Sequence, residues 1–224
     1  AVTRWLVAHP QQAVALVAAA AVIASTYPVV FLGKCFVSPN FSDGTFLLYD
    51  ELPTLPGYHD AESEDAKGSD VGAIIWQQVP YTFIQNRALL HEHELPLWNR
   101  YNSAGTVLLG QGQSMFGDPW HLPVILAGGA AWAWDLKYIF ARWLLCLGIG
   151  LTVWRCTRHL PSAALTAAGS AFLGFFLYRL NHPAYFSFCY APWILYAWIG
   201  LAGAATWRRL AGWCSLLLFA SVCD

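Results

Sequence analysis

Runs of about twenty apolar residues constrain this chain more than any other feature of its sequence. The first run covers residues 13–32 (AVALVAAAAVIASTYPVVFL), with Pro28 near its outer end. Roughly 20 residues of α-helix cross the hydrocarbon core of a bilayer, and a helix satisfies its own backbone hydrogen bonds there. The same pattern predicts spans at residues 136–154, 163–178 and 185–205, and another that begins near residue 210. We therefore expect an all-α integral membrane protein with about five transmembrane helices.

The composition agrees with this interpretation. Charged residues make up 11% of the chain and hydrophobic residues 57%, whereas soluble domains carry roughly 25% charged residues. The formal net charge is −1, so the sequence lacks the basic excess that is typical of nucleic-acid-binding proteins. Membrane lipid, and not nucleic acid, is the partner that this composition indicates.

Arginines in the short connections predict the orientation of the spans. They stand before the first span, between the second and third, and between the fourth and fifth: Arg4, Arg155, Arg158, Arg208 and Arg209. With alternating spans these groups fall on one side of the membrane, and an excess of positive charge in short loops marks the cytoplasmic side. Arg179, in a short outer turn, is the exception. We therefore expect a cytoplasmic N-terminus and a long extracytoplasmic loop.

The predicted spans divide the chain into three parts. Residues 1–33 hold the N-terminal segment and the first span, and residues 34–135 form the extracytoplasmic loop. Residues 136–224 hold the second to fifth spans. Because the chain starts without a methionine and its last apolar run continues almost to the end, we expect it to be the N-terminal part of a longer protein.

Two segments of the loop are expected to lie at the membrane surface. Apolar residues recur at helical spacing over residues 71–83, which is typical of an interfacial helix, and Pro80 is expected to kink this helix. Residues 119–134 are apolar but short and broken by proline and glycine, as in a re-entrant segment. The acidic stretch at residues 60–70 is expected to be a mobile surface segment.

Asp70 stands at the head of the predicted interfacial helix, in the sequence GSDVGAIIWQQVPY. This position is typical of a helix cap, because an Asp or Ser side chain accepts hydrogen bonds from the first backbone N–H groups. A carboxylate at the outer membrane face can also act as a general base or bind a divalent metal ion such as Mg²⁺ or Mn²⁺. Spacing alone leaves both roles open, and one residue can fill both.

Histidines occur at two places where chemistry is conceivable. His91 and His93 are two residues apart, so they do not share a helix face and do not predict a metal site. His182 lies beside Arg179 and Asn181 at the outer end of a predicted span. Ionisable residues at such positions are candidates for function, and an arginine there can pair with a phosphate. Side chains that snorkel to the interface are the structural alternative.

Several motifs follow one another in a characteristic order. GSD leads the interfacial helix, EHELPLWNRYNSAG and GQGQSMFGDPWHLP follow in the loop, and GFFLYRLNHPAYFS connects two predicted spans. This order, over roughly residues 70–198, resembles that of YfhO-type bacterial multi-pass membrane proteins, which belong to the GT-C-like glycosyltransferase superfamily. Arg100 departs from the pattern, since proline is common at its position.

The resemblance implies a bacterial cytoplasmic (inner) membrane protein with an outward-facing active site. It implies a sugar donor carried on a polyprenyl phosphate, and more spans than the five predicted here. Asp70 matches the catalytic or metal-binding carboxylate of such enzymes. The positions that match substrate-binding elements, or that would face the lipid phosphate, are Trp98, Asn99, Arg179, Asn181 and His182.

Two functions are therefore expected from the sequence. The first is a membrane glycosyltransferase, or its N-terminal half, that uses a polyprenyl-phosphate-linked sugar at the extracytoplasmic face. The second is a non-catalytic membrane subunit or scaffold with membrane-protein partners, which the 12 tryptophans suit because they anchor helices at the interface.

Overall fold

The computed structural model describes residues 8–37, 74–101, 104–109, 114–178 and 182–223. Most of these residues are helical, as expected for an all-α chain. The α-helices are α1 Pro10–Ser25, α2 Tyr27–Phe31, α3 Val79–Leu90, α4 Leu122–Leu126, α5 Ala131–Thr157, α6 Leu160–Ser170, α7 Gly174–Tyr178, α8 Ala184–Phe188, α9 Ala191–Ala202 and α10 Trp207–Cys223. A π-helical turn, Ile74–Gln78, precedes α3, and two short strands, β1 Trp98–Asn99 and β2 Thr106–Val107, pair in antiparallel fashion.

The chain separates into two compact units. Unit 1 contains Ala1–Lys34, Tyr138–Gly174 and Phe186–Asp224, and unit 2 contains Cys35–Lys137 and Phe175–Tyr185. Unit 2 therefore consists largely of the residues that the sequence assigns to the extracytoplasmic loop. Unit 1 holds most of the residues of the predicted spans.

Two helical stretches are long and apolar enough to cross a membrane. They are α5, with 27 residues, and Ala184–Ala202, with 19 residues, which combines α8 and α9. They correspond to the predicted spans at residues 136–154 and 185–205, although α5 begins five residues earlier than expected. Pro10–Ser25 and Leu160–Phe176 are apolar but shorter. By length and composition, then, the described residues contain two helices that could serve as expected spans.

Prolines and glycines place the helix boundaries differently from the prediction. The first predicted span is interrupted between α1 and α2 at Thr26, whose Oγ1 donates to Val22 O at 2.7 Å. Pro80 stands in the first turn of α3, directly after the π-helical turn Ile74–Gln78, so the helix changes its type beside this proline. Residues 119–134 do not form one segment: α4 is followed by a turn with Gly128 and Gly129 at positive φ, and α5 then begins.

The core of unit 1 is built where small residues let helices approach closely. Gly150 on α5 is such a point, because an added Cβ there would lie 2.6 Å from Val14 Cγ1 and 2.8 Å from Ala167 Cβ. Val14 belongs to α1 and Ala167 to α6, and both are fully buried. Close approach through glycine and alanine is the usual basis of helix packing in apolar surroundings.

Gly200 on α9 is expected to be intolerant of a side chain, because an added Cβ would overlap the Trp213 ring on α10. We expect Gly200→Ala to lower the free energy of unfolding by about 1–3 kcal/mol, as overpacking does. Gly212→Ala on α10 is the matched control, since no atom lies within 4 Å of its added Cβ. Thermal unfolding of the two purified variants measures the difference, and equal midpoints would contradict the packing at Gly200.

Candidate functional site

The residues predicted to carry chemistry divide into two groups. Asp70, Arg179 and Asn181 lie outside the described residues, as does the rest of the acidic stretch at residues 60–70. Trp98, Asn99 and His182 are described. Of the predicted site, the structure therefore describes only these three residues.

Trp98 and Asn99 form β1 and shape the turn that follows it. The Asn99 side chain is buried, and its Oδ1 accepts a hydrogen bond from Tyr101 N at 2.9 Å. The Trp98 ring lies against Gly105, where an added Cβ would overlap Nε1, and Gly105 has a φ of +92°. Half of the Trp98 surface nevertheless remains exposed. Asn99 thus has a structural role in the turn, while Trp98 leaves half of its aromatic surface exposed.

An exposed ion-pair network surrounds this turn. Arg87 Nε lies 2.9 Å from Glu92 Oε1, and Arg100 pairs with both Glu92 and Glu94. Desolvation acts to raise the pKa of Glu92, but hydrogen bonds from Tyr101 and Arg87 and the charge of Arg100 outweigh it and lower the pKa. Arg100 thus forms ion pairs with two acids that lie close to it in the sequence.

His182 lies two residues before the short helix α8. Its Nδ1 accepts a hydrogen bond from Ala184 N at 3.1 Å, and its backbone oxygen accepts one from Tyr185 N at 2.9 Å. The side chain is half-buried. His182 therefore stabilises the turn that leads into α8, and it uses its Nδ1 atom to do so.

A buried polar cluster in unit 2 was not predicted from the sequence. We define the polar core as Gln78, Thr82, Gln85, Ser114 and His121, each at most 1% exposed. The first three follow one another at intervals of four and three residues, which places them on one face of the helix. The other two come from the connection that leads to α4. Burial of so many uncharged polar groups is costly unless they bond to one another or to a ligand.

Hydrogen bonds tie the helix to this connection. Gln85 Nε2 donates to Ser114 O at 2.8 Å, and Ser114 Oγ donates to Leu108 O. Asn86 Nδ2 donates to Ile125 O at 2.7 Å. These bonds join α3 to segments about 29–39 residues further along the chain. Gln85 Oε1 is buried and has no hydrogen-bond partner within the described part of the chain.

His121 is the titratable member of the polar core. Thr82 Oγ1 donates its hydrogen to Gln78 O at 2.7 Å and lies 3.1 Å from His121 Nε2. Since that hydroxyl hydrogen is used, Nε2 carries the imidazole proton and donates it to Thr82. His121 Nδ1 is then an acceptor, and it is buried without a hydrogen-bond partner among the residues described. Burial lowers the pKa of His121 well below its usual 6.5, and the charge of Lys137 lowers it further.

An ion pair lies beside the polar core. Lys137 Nζ is 2.7 Å from Asp118 Oδ2, and the two side chains are 2% and 11% exposed. Lys137 Nζ also lies 3.3 Å from Met115 Sδ. The His121 ring stacks at a tilt on Trp134, with ring centroids 5.1 Å apart. Unit 2 therefore combines neutral hydrogen-bonding groups, an aromatic ring and one compensated charge pair.

The polar spacing on α3 was the signal that sequence reasoning missed. The predicted interfacial helix rests only on the apolar residues of this segment, of which Phe83 is 55% exposed. The polar residues Gln78, Thr82 and Gln85, which the prediction leaves out, form the buried side. No group of three or more His, Cys, Asp or Glu side chains able to hold a metal occurs in the described ranges. The Mg²⁺ or Mn²⁺ site expected at Asp70 stays a prediction, because Asp70 lies outside the described residues.

His121 makes the stability of unit 2 depend on pH. Its folded pKa is lowered, so below about pH 6.5 the unfolded chain takes up a proton that the folded chain does not. We expect the free energy of unfolding to fall with decreasing pH by up to about 1.4 kcal/mol per pH unit in this window. His121→Gln keeps a donor for Thr82 and should remove this dependence.

The matched control for this measurement is His91→Asn, because His91 is exposed. Unfolding followed between about pH 7.5 and pH 5 gives the slope for wild type and both variants. Equal slopes in wild type and His121→Gln would contradict a neutral buried imidazole.

Comparison of the chain with protein-family models, with curated proteins and with solved structures found no match.

Proposed function

We propose that this chain is an integral membrane protein whose unit 2 lies at the extracytoplasmic face. The observation that supports this location best is the mixed character of the exposed side of α3. Thr82 and Gln85 are fully buried, while Phe83 and Leu90 are 55% and 45% exposed and lie on the same side of the helix as the exposed Arg87. A helix that exposes large apolar side chains beside an arginine suits the interfacial region of a bilayer.

Exposed apolar side chains in unit 1 support the same location. Leu165 on α6, Leu218 and Val222 on α10 are 66–79% exposed. Highly exposed leucine and valine side chains of this kind suit contact with a membrane or a partner. The 27-residue helix α5 is long enough to cross a bilayer.

We propose further that the protein is a membrane glycosyltransferase, or its N-terminal half, that takes its sugar from a polyprenyl phosphate. The motif order over residues 70–198, which resembles that of YfhO-type proteins, supports this function. The polar core of unit 2 is uncharged, and two of its buried acceptors, Gln85 Oε1 and His121 Nδ1, have no hydrogen-bond partner among the described residues. Unpaired buried groups of this kind are often found near functional sites.

The chemistry proposed for the site needs one base and groups that hold a phosphate. The Asp70 carboxylate takes the proton of an acceptor hydroxyl, whose oxygen forms a bond to the anomeric carbon. The bond between that carbon and the phosphate oxygen breaks, and the electron pair leaves with the polyprenyl phosphate. Arg179 and His182 are assigned to that phosphate, and the exposed face of Trp98 is assigned to the sugar ring.

A transfer assay tests this function. The full-length protein is reconstituted in vesicles with a polyprenyl phosphate that carries a radiolabelled sugar, and membranes of the source cell supply the acceptor. We expect label to leave the donor lipid and to appear in a product that no longer extracts with it. If all the label stays on the donor, with each of several sugars, the catalytic assignment is wrong.

An accessory membrane subunit is the second candidate. The exposed apolar surface of α10, with Leu218, Phe219 and Val222, favours it, because this surface can pack on helices of a partner. Purification from the source membrane distinguishes the two candidates. A stoichiometric partner together with no transfer activity supports the subunit, and transfer by the isolated protein supports the enzyme.

A further inference from the structure

Charge is strongly segregated between the two units. The residues of unit 1 include seven Lys and Arg side chains and one acid, Asp224. The residues of unit 2 include 12 Asp and Glu side chains and five Lys and Arg. The described residues of unit 1 contain no Asp or Glu at all. The described part of unit 1 therefore carries a net positive charge.

Arg155 is the half-buried cation of this set at the end of α5. Its guanidinium carbon lies 4.5 Å from the centroid of the Trp213 ring and 5.3 Å from that of the Tyr196 ring. The two rings themselves meet edge to face at 5.3 Å. Arg155 has no carboxylate partner and no hydrogen-bond acceptor among the residues described.

Stacking on aromatic rings leaves the donors of a guanidinium available. Its N–H groups lie in the plane of the group, and they point outward when its face covers a ring. A planar fork of this kind matches the oxygens of a phosphate. The aromatic contacts hold Arg155 in place while the groups that would bind an anion are unused.

A second arginine, Arg209, lies on α10 near Trp213. Arg209 precedes Trp213 by four residues, so the two side chains are neighbours on one helix face. Arg209 is exposed. Arg155 and Arg209 are more than 50 residues apart in the sequence, but Arg155 covers the Trp213 ring and Arg209 stands one helical turn before Trp213. Arg158, whose guanidinium lies 5.9 Å from the Trp154 ring, adds charge near the end of α5.

We propose that Arg155 and Arg209, with Trp213 between them, bind the phosphate of an anionic phospholipid from the cytoplasmic leaflet. The bilayer supplies the negative charge that the described part of unit 1 lacks, and polybasic segments at this face attract such lipids. Tyr196 and Trp213 suit the headgroup region, where aromatic rings concentrate. This inference rests on the proposed membrane location but not on the proposed transfer reaction.

Native mass spectrometry of the full-length protein in detergent tests the proposal. Phosphatidylglycerol and phosphatidylcholine of the same acyl chains are titrated, and the dissociation constants are compared. We expect phosphatidylglycerol to bind more tightly. Arg209→Gln should weaken its binding about fivefold, and the double variant Arg155→Gln/Arg209→Gln about 25-fold. Phosphatidylcholine binding should not change.

Arg87→Gln is the matched control, because Arg87 is also an exposed arginine but belongs to unit 2 and pairs with Glu92. Arg155→Gln removes two ring contacts and can destabilise unit 1. Lipid binding is therefore also measured for Arg209→Gln alone, because Arg209 is exposed, and the thermal midpoint of each variant is measured beside it. Equal affinity for the two lipids would overturn the proposal. So would unchanged phosphatidylglycerol binding in Arg209→Gln, or displacement of the lipid by millimolar inorganic phosphate.

Discussion

Replacement of Lys137 by methionine is expected to lower the free energy of unfolding by about 3–5 kcal/mol. Lys137 Nζ lies 2.7 Å from Asp118 Oδ2, and both side chains are almost completely buried. Methionine fills a similar volume but leaves the Asp118 carboxylate without its cation. A buried charge that loses its partner is among the most destabilising changes known for a single residue. Thermal or denaturant unfolding of the purified variant measures the effect.

The double variant Lys137→Met/Asp118→Asn separates charge from packing. It removes both charges, while the amide oxygen of the introduced asparagine can still accept the bond that Asp118 Oδ1 receives from Trp120 N at 3.0 Å. We expect the double variant to be clearly more stable than Lys137→Met alone, because neutral groups of similar shape are much cheaper to bury. Equal stability of the two variants would show that the ion pair is not what Lys137 contributes.

Asp70→Asn is expected to reduce sugar transfer by about 100- to 10,000-fold, the contribution of a general base. Asparagine caps a helix about as well as aspartate does. The substitution therefore removes the negative charge while it keeps whatever cap Asp70 provides. The rate of label transfer from the polyprenyl-phosphate donor is the measurement, and the thermal midpoint should stay the same.

Asp60→Asn is the matched control for Asp70→Asn, since Asp60 is another acid of the same acidic stretch. Its transfer rate should equal that of the wild type. A transfer rate of Asp70→Asn within a factor of about three of wild type would exclude a general base at this position, given the size of that effect. The accessory-subunit hypothesis would then be preferred.

Apolar runs predicted the long helices because they depend on local pattern alone. A run of about 20 apolar residues is expected to be helical in a bilayer, since its backbone groups must bond within the segment there. Helices long and apolar enough to cross a membrane do occur at the predicted spans 136–154 and 185–205. Boundaries were less accurate, because breaks such as that at Thr26 depend on a hydroxyl bond to Val22 O as well as on Pro28.

The candidate site was predicted less well than the helices. Trp98, Asn99 and His182 follow from the motif order, but the turn that occupies the Asn99 oxygen depends on Tyr101 N and on the geometry at Gly105. The roles of Asp70, Arg179 and Asn181 stay predictions, since these residues lie outside the described part of the chain. The resemblance to YfhO-type proteins likewise stays a hypothesis.

By itself the sequence determined the helical class of the chain, its apolar segments and the uneven distribution of its charges. These properties follow from residue type and spacing, and they depend only on residues that are close together in the sequence. Only the tertiary structure decided which polar groups are buried and which aromatic rings Arg155 covers. His121 meets Thr82 from 39 residues away, and Arg155 meets Trp213 from a different helix. Burial and charge compensation depend on such distant partners, and local pattern does not specify them.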